Sequence, residues 1–580
     1  MPDNEATLLF NLNKSSTLTS RDVLKHLTFH LCTSRRQTLL LEKALWTLFN
    51  AYKRKVGSVL FRQYLVTQAV WRRIIIMQRI TLLVGLVLTL SLHRTVHAAD
   101  PAFRDVTPDV RIDTSSGKIK KFGSPAVADL DRDGLPDLLF CHHDTTFTEL
   151  YFNSPGGTFT KAPWGIHHDS HGLVPFPISP WHKSMRFILS VGGNNGETPN
   201  HPLMFQVDTS RVVSEVSVQA GIDKAGGRGR SAAFLDLSMG AHPYWPDVIF
   251  TNAHALQGPS QYAYENTGQQ RFTLRTLNGG FENTRNGLIT VTDLETDGVM
   301  EVVSFPILQI WKVTAPFHMI DISNQVLPPG MNRGAVAAVA EIDYDNDGDF
   351  DIYLARAWLG TWMTPGIYED ILLENRNGKY YDVSASAKIP RGTVSHGVTT
   401  ADFDNDGYMD IHVTQYTGSD LFLMNNGDGT FRTVRDVIVH DDSTRGDNAV
   451  AVDYDMDGKV DLIMSEGDKD EISLGGTFHV LKNSMSDSSV GNFIHIRVGH
   501  PWDRSCTPLN ARIFVKSGTL AVTRRVGSPG TSVSTSYLET VHVGLGDRTM
   551  VDVIYVRYTN GYVVERRNVS HGQTVVLGLL

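Results

Sequence analysis

Between residues 100 and 490 the chain alternates short apolar runs with turns rich in Asp, Asn and Gly. Asp351-Ile352-Tyr353-Leu354 and Asp410-Ile411-His412-Val413 are typical runs, and Arg186-Phe187-Ile188-Leu189-Ser190-Val191 has the same character. Runs of this length, rich in β-branched and aromatic residues and bounded by turn formers, predict strands. Residues 153–159, 375–380 and 425–431 add Asn- and Gly-containing stretches that fit hairpin turns between strands. Apolar residues go on alternating through 492–580, which predicts a small separate β domain.

The pattern repeats. An apolar run, D-x-D-x-D-G-x-x-D and a second apolar run recur in four full copies. They are Asp129, Asp131, Asp133 and Asp137; Asp343, Asp345, Asp347 and Asp351; Asp402, Asp404, Asp406 and Asp410; and Asp453, Asp455, Asp457 and Asp461. A variant copy reads Asp293, Glu295, Asp297 and Glu301, and a degraded one starts at Asp236, with Ser238 and Gly240 in place of acids. The copies start about 50–60 residues apart, except for a double gap between 129 and 236. A seventh unit without the loop therefore falls near residues 181–191. Seven units of four short strands predict an all-β fold, a seven-bladed β-propeller followed by the small β domain. Residues 103–107 match the strand that ends a unit, and the last unit lacks that strand near Asn483. The N-terminal segment is expected to complete the last blade and remove an exposed edge.

Three acids on alternate residues repel one another unless a cation lies between them. Oxygen donors with a Gly for a sharp turn suit calcium, with ligands at positions 1, 3, 5 and 9 and a main-chain carbonyl at position 7. These are not EF-hands, because position 12 is Phe140, Leu354, Val413 or Met464 rather than Glu. The alternative, a loop that only turns the chain, explains one copy better than four in register.

Net charge is −9, and residues 1–76 hold 12 Lys and Arg against 4 Asp and Glu, so the rest of the chain is more acidic than the total suggests. Such a body excludes a nucleic-acid partner, which needs a basic face. The three cysteines cannot form a zinc site by spacing; Cys141 and Cys506 are candidates for one bridge between propeller and C-terminal domain. His167, His168 and His171 form a local cluster, more in keeping with a surface loop than a metal site. Trp164, Trp181, Trp245, Trp311, Trp358 and Trp362 are either core residues or platforms for a sugar. No nucleophile elbow, H-E-x-x-H, P-loop or dinucleotide fingerprint occurs, so a non-catalytic protein is expected.

Arg72, Arg73 and Arg79 precede the apolar run 80–92, and Ala98-Ala99 ends an A-x-A-like site. Thirteen residues rise only about 20 Å as a helix, short of the roughly 30 Å hydrocarbon core. This predicts a signal peptide over 77–99, with Met77 as the functional start and 1–76 a dispensable extension; a signal anchor is the alternative. After cleavage no membrane span is expected, and the protein is secreted to the extracellular space. Asn568-Val569-Ser570 is then a glycosylation sequon. Arg445-Gly446-Asp447 leads straight into the strand before the last Asp loop, so it reads as part of the repeat rather than an integrin ligand.

Phe122-Gly123-Ser124-Pro125 and the Asp loops resemble the FG-GAP/VCBS repeats of integrin-α-like propellers over residues 100–490. Asn510-Ala511-Arg512-Ile513-Phe514-Val515, Val541-His542-Val543-Gly544-Leu545-Gly546, Val551-Asp552-Val553 and Tyr558-Thr559-Asn560-Gly561 resemble an ASPIC/UnbV domain over 491–580. Together they look like the cartilage acidic protein family, although no Cys-rich tail follows the β domain. The resemblance implies a calcium-bound seven-bladed propeller in adhesion or extracellular-matrix interaction, with an extracellular protein or glycan as partner. A glycan-binding propeller is the second reading, and a polysaccharide-active enzyme the third.

Overall fold

Among the described residues seven antiparallel sheets follow one another along the chain, six of four strands and the first with a fifth, Ile166–His167, paired to Phe147–Ser154. Their first strands are Pro125–Ala128, Ser170–Pro177, Gly229–Leu235, Leu288–Thr292, Val336–Ile342, Ser395–Ala401 and Thr444–Val452, and they give sheets 1 to 7 their order. Sheet 6 is representative: Ser395–Ala401 pairs with Asp410–Gln415, then Leu421–Asn425, then Phe431–Val434. Both faces of the middle strands are covered, so Leu421–Asn425 is buried throughout. The computed structural model describes residues 100–580 apart from 114–123, 142–146, 178–182, 193–199, 241–244, 253–260, 269–270, 357–359, 362–363, 366–367, 441–443 and 469–476. The expected extension 1–76 and signal peptide 77–99 lie outside the described residues.

Apolar cores lie between successive sheets. Phe234 and Ile188 pack between sheets 2 and 3, Val302 and Ile249 between 3 and 4, and Val339 and Val303 between 4 and 5. Tyr353 and Ile411 fill the space between sheets 5 and 6, Met464 and Phe422 that between 6 and 7. Phe140 stacks on Phe478, with centroids 3.9 Å apart, between sheets 1 and 7. The array therefore returns on itself as a β-propeller. The closing strand is Phe103–Asp105, which pairs antiparallel with Phe478–Asn483 of sheet 7. Sheet 2 has no Asp loop: Ser170–Pro177 and Met185–Val191 pair without one.

Two further sheets form the C-terminal domain. One orders Thr540–Gly546, Asn492–Val498 and Thr574–Leu577; the other Leu520–Arg525, Arg512–Ser517, Met550–Arg557 and Val563–Ser570. Residues 526–539, between Leu520–Arg525 and Thr540–Gly546, run along the first strands of the propeller. Thr535 and Tyr537 donate their backbone N–H to the carbonyls of Leu173 and Val127, each at 2.9 Å. Thr531 exchanges backbone hydrogen bonds with Val339, and the N–H of Thr400 donates to the Pro529 carbonyl at 3.0 Å. One loop thus bonds to first strands of sheets 1, 2, 5 and 6, which plugs the centre of the ring. Contact is close: a Cβ on Gly530 would meet the Val398 carbonyl oxygen at 2.0 Å.

The cysteine bridge does not form. Cys141 and Cys506 are both free and buried. Cys141 Sγ lies 3.3 Å from the Ser124 carbonyl and 3.8 Å from Ser534 Oγ of the plug, so it is a small packing residue under the loop. Asp447 is likewise buried, and its carbonyl accepts from His396 Nδ1 at 3.0 Å and Thr414 Oγ1 at 3.2 Å. The Arg-Gly-Asp triplet therefore lies within the strand Thr444–Val452.

Candidate metal centres

Each Asp loop is shaped by its own carboxylates. Position 1 accepts the N–H of the position 6 glycine: Gly134 to Asp129 at 3.0 Å, Gly407 to Asp402 at 2.9 Å, Gly458 to Asp453 at 2.6 Å. Position 5 accepts the N–H of position 7, as Asp406 does from Tyr408 at 2.8 Å. The glycine sits at φ +103° in the first loop and +101° in the third full copy, where a side chain is strained. Position 4 is also left-handed, at Arg132, Thr296, Asn346, Asn405 and Met456.

Position 9 also anchors the loop. Asp410 accepts the N–H groups of Phe403 at 3.0 Å and Asn425 at 2.7 Å, tying the loop to the hairpin. Asn425 Nδ2 in turn donates to the Tyr344 carbonyl in the loop of sheet 5 at 2.7 Å. Asn153 reaches Tyr454, Asn375 reaches Leu294 and Asn483 reaches Phe403 in the same way. Even the degraded loop keeps this acid, as Asp247, bonded to the N–H groups of Leu237 and Asn266.

Four groups of carboxylates offer oxygens within 4.8 Å of one another: Asp129, Asp131 and Asp137; Asp343, Asp345 and Asp347; Asp402, Asp404 and Asp410; Asp453, Asp455 and Asp461. Burial, then the charges of Asp406 and Asp404, push the Asp402 carboxyl well above its usual range. Burial foremost pushes Asp343 up to about 7, against the pull of Arg524. Oxygens Asp129 Oδ1, Asp343 Oδ2 and Asp455 Oδ1 are buried with no hydrogen-bond partner. Buried acceptors of this kind demand a cation or a donor, and all-oxygen donor sets fit a hard ion such as calcium.

Several loops have a fixed cation beside them. Arg211 of sheet 2 donates to Asp131 at 2.6 Å and lies 3.2 Å from Asp133. Lys482 pairs with Asp455 and lies 3.0 Å from Asp457. In the variant loop Lys312 Nζ is 2.6 Å from Glu295 and 3.9 Å from Glu301; Asp293 and Asp297 bond to the N–H groups of Gly298 and Val299. Arg497 of the C-terminal domain reaches Asp129 at 2.6 Å and Glu539 at 3.1 Å, and Glu539 also pairs with Arg132. Sequence reading missed these partners: Arg211 and Arg497 come from another sheet or domain, and Lys312 and Lys482 from the third strand of the loop's own sheet.

The FG-GAP-like repeat model matches residues 343–413 and 402–464, and the ASPIC and UnbV model matches 507–578. The chain carries FG-GAP-like repeats and an ASPIC and UnbV domain. The repeat matches fall on sheets 5 to 7, and sheet 1 repeats their loop geometry. No curated protein matches the sequence. Among solved structures, the BP39L lectin from Burkholderia pseudomallei is similar at 12% identity, covering 65% of this chain and 98% of that one, with a TM-score of 0.41. YCF48 from Cyanidioschyzon merolae is similar at 11% identity over 65% and 98%, TM-score 0.36. Sqt1 from Saccharomyces cerevisiae is similar at 10% identity over 60% and 82%, TM-score 0.36.

The remaining candidates are placed as follows. Trp311 is buried and donates to Ser304 Oγ at 3.0 Å, and Trp164 packs edge-on to Phe187 and Phe205, so both serve the core. Trp181, Trp358 and Trp362 lie outside the described residues. His171 Nε2 pairs with Asp169 at 3.0 Å, and the side chain of His167 lies outside the described residues. Asn568 is exposed on Val563–Ser570, as a glycan acceptor requires. No helix among the described residues is long and apolar enough to cross a membrane.

Proposed function

We propose that this is an exported, calcium-binding, non-catalytic β-propeller glycoprotein that acts in adhesion or extracellular-matrix interaction. The observation that carries the calcium reading is the set of buried carboxylate oxygens without donors inside the Asp loops. Calcium would supply the positive partner those oxygens lack; Asp402, Asp404, Asp406 and Asp410 would hold one ion, and the 129, 343 and 453 loops one each. Extracellular modules of this kind bind at roughly 10⁻⁴–10⁻³ M. The 293 loop, whose acids form no group of three oxygens within 4.8 Å of one another, is the weakest of the five. Export rests on the basic, apolar and small-residue succession over 72–99. Adhesion follows from the resemblance of the repeats, and the buried Asp447 directs it away from the Arg-Gly-Asp triplet.

Ligand that binds only the native state raises stability by RT ln(1 + [L]/Kd). Chelator should lower the melting temperature of the full chain, and Asp404→Ala should remove part of the calcium-dependent shift. A melt identical in chelator and in millimolar calcium would overturn the assignment.

A further inference from the structure

Two histidines and an aspartate come together where the last Asp loop meets the C-terminal domain. His495 and His542 stand directly opposite each other on the paired strands Asn492–Val498 and Thr540–Gly546. Directly opposed residues share a face, with Cβ atoms about 4.5–5.5 Å apart. Ile494, Ile496 and Val543 alternate with them into the domain core, so both imidazoles point to the propeller. There His495 Nε2 lies 3.0 Å from Asp453 Oδ2 and 3.2 Å from His542 Nδ1. The three offer ligand atoms within 4.8 Å of one another.

The arrangement fixes which nitrogen of His542 is bare. Its Nε2 lies 2.6 Å from Asn405 Oδ1. The Asn405 amide nitrogen donates to the carbonyls of Gly458 at 2.8 Å and Gly491 at 3.2 Å, which leaves Oδ1 as the acceptor. His542 therefore carries its proton on Nε2, and the Nδ1 lone pair faces His495 and Asp453. Such an outer hydrogen bond is what orients metal-binding imidazoles. Two imidazoles and a carboxylate suit a borderline divalent ion. Bonds of 2.0–2.1 Å to zinc in a tetrahedron put ligand atoms about 3.3 Å apart, close to the 3.0 and 3.2 Å found. Phe493 covers one side, its ring stacked on His542 at 5.6 Å. A cavity of about 130 Å³ that borders all three residues leaves room for water in a fourth position.

We propose that Asp453, His495 and His542 bind a zinc-class divalent ion that clamps the C-terminal domain to sheet 7. The site shares Asp453 with a calcium loop but has a different donor set and does not depend on the calcium reading.

The test is titration of the chelator-stripped full chain with Co²⁺ and Zn²⁺ in excess calcium. One equivalent of Co²⁺ should give the intense visible absorption of a four-coordinate nitrogen and oxygen site, displaced by Zn²⁺. His542→Gln should weaken Zn²⁺ binding at least 100-fold, and Asn405→Ala, one shell out, about 10–100-fold. Asp455→Ala should impair the calcium-dependent melt and leave the Co²⁺ spectrum intact. Wild-type protein that gives no such absorption, or His542→Gln that binds Zn²⁺ as wild type does, would overturn the proposal. The wild-type measurement needs no variant to fold.

Discussion

The asparagine that begins each hairpin after an Asp loop does more than turn the chain. Asn425 accepts one N–H and donates to two carbonyls, a part-buried one in its own sheet and a buried one in the sheet before. The amide is buried, so its partners have no water to replace it. Removing one partner and leaving the other buried costs about 1–3 kcal/mol per group. Asn425→Ala should therefore destabilise by about 2–4 kcal/mol, with the same loss in calcium as in chelator. Denaturant titration in both conditions measures it. A loss confined to calcium would mean that the residue serves the ion instead.

At the scale of elements, the plug loop 526–539 stands out. Its backbone replaces solvent as the partner of first-strand groups that face the ring centre, and Ser534 and Ser536 add side-chain bonds to Leu173 and Val127. Gly530 sits where only a hydrogen fits beside Val398. Gly530→Val forces the backbone apart, and overpacking of this kind costs roughly 1–3 kcal/mol or more. The variant should melt lower than wild type, with faster proteolysis within 526–539. Equal melting and equal cleavage would show that the loop does not hold the ring.

Across the whole molecule, two electrostatic systems both cost stability as pH rises, in different windows. His440 bonds to Asp420 and Glu466, both at 2.7 Å, and His479 bonds to Asp105 at 2.9 Å, joining sheets 6 and 7 to the closing strand. Burial lowers both imidazoles, but the hydrogen bonds they donate to these acids, and the acids' charge, outweigh it and raise His440 to about 10 and His479 to about 9. Their contribution is full below the unfolded histidine value of about 6.5 and is lost as pH rises through 9–10. The loop carboxyls act in the same direction over a lower window. Burial lifts Asp129 and Asp343 to about 7, so the calcium-free fold binds more protons than the unfolded chain and loses stability from about pH 4 to 7. Melting temperature in chelator should fall across that window, whereas in saturating calcium the fall should begin above pH 6.5. A calcium-free chain that melts higher at pH 7.5 than at pH 5 would contradict this.

Local chemistry carries much of this protein. Alternation of apolar and turn residues marks the strands, and the period of the Asp loops marks the sheets, because each unit must repeat the same turn to bury the same faces. Residues 103–107 identify themselves as a final strand by their likeness to residues 381–383, and the structure pairs Phe103–Asp105 with sheet 7. Carboxylate spacing marks the cation loops for the same reason, since all the donors lie within nine residues. Everything built across long sequence separations is silent in the pattern. The cations beside the loops, the Asn ties between sheets, the plug and the His495–His542 pair each depend on which strand or domain arrives alongside. Cys141 shows the limit: chain order makes a bridge to Cys506 reasonable, but the position of each thiol is decided by the packing of the plug loop and the domain core around it.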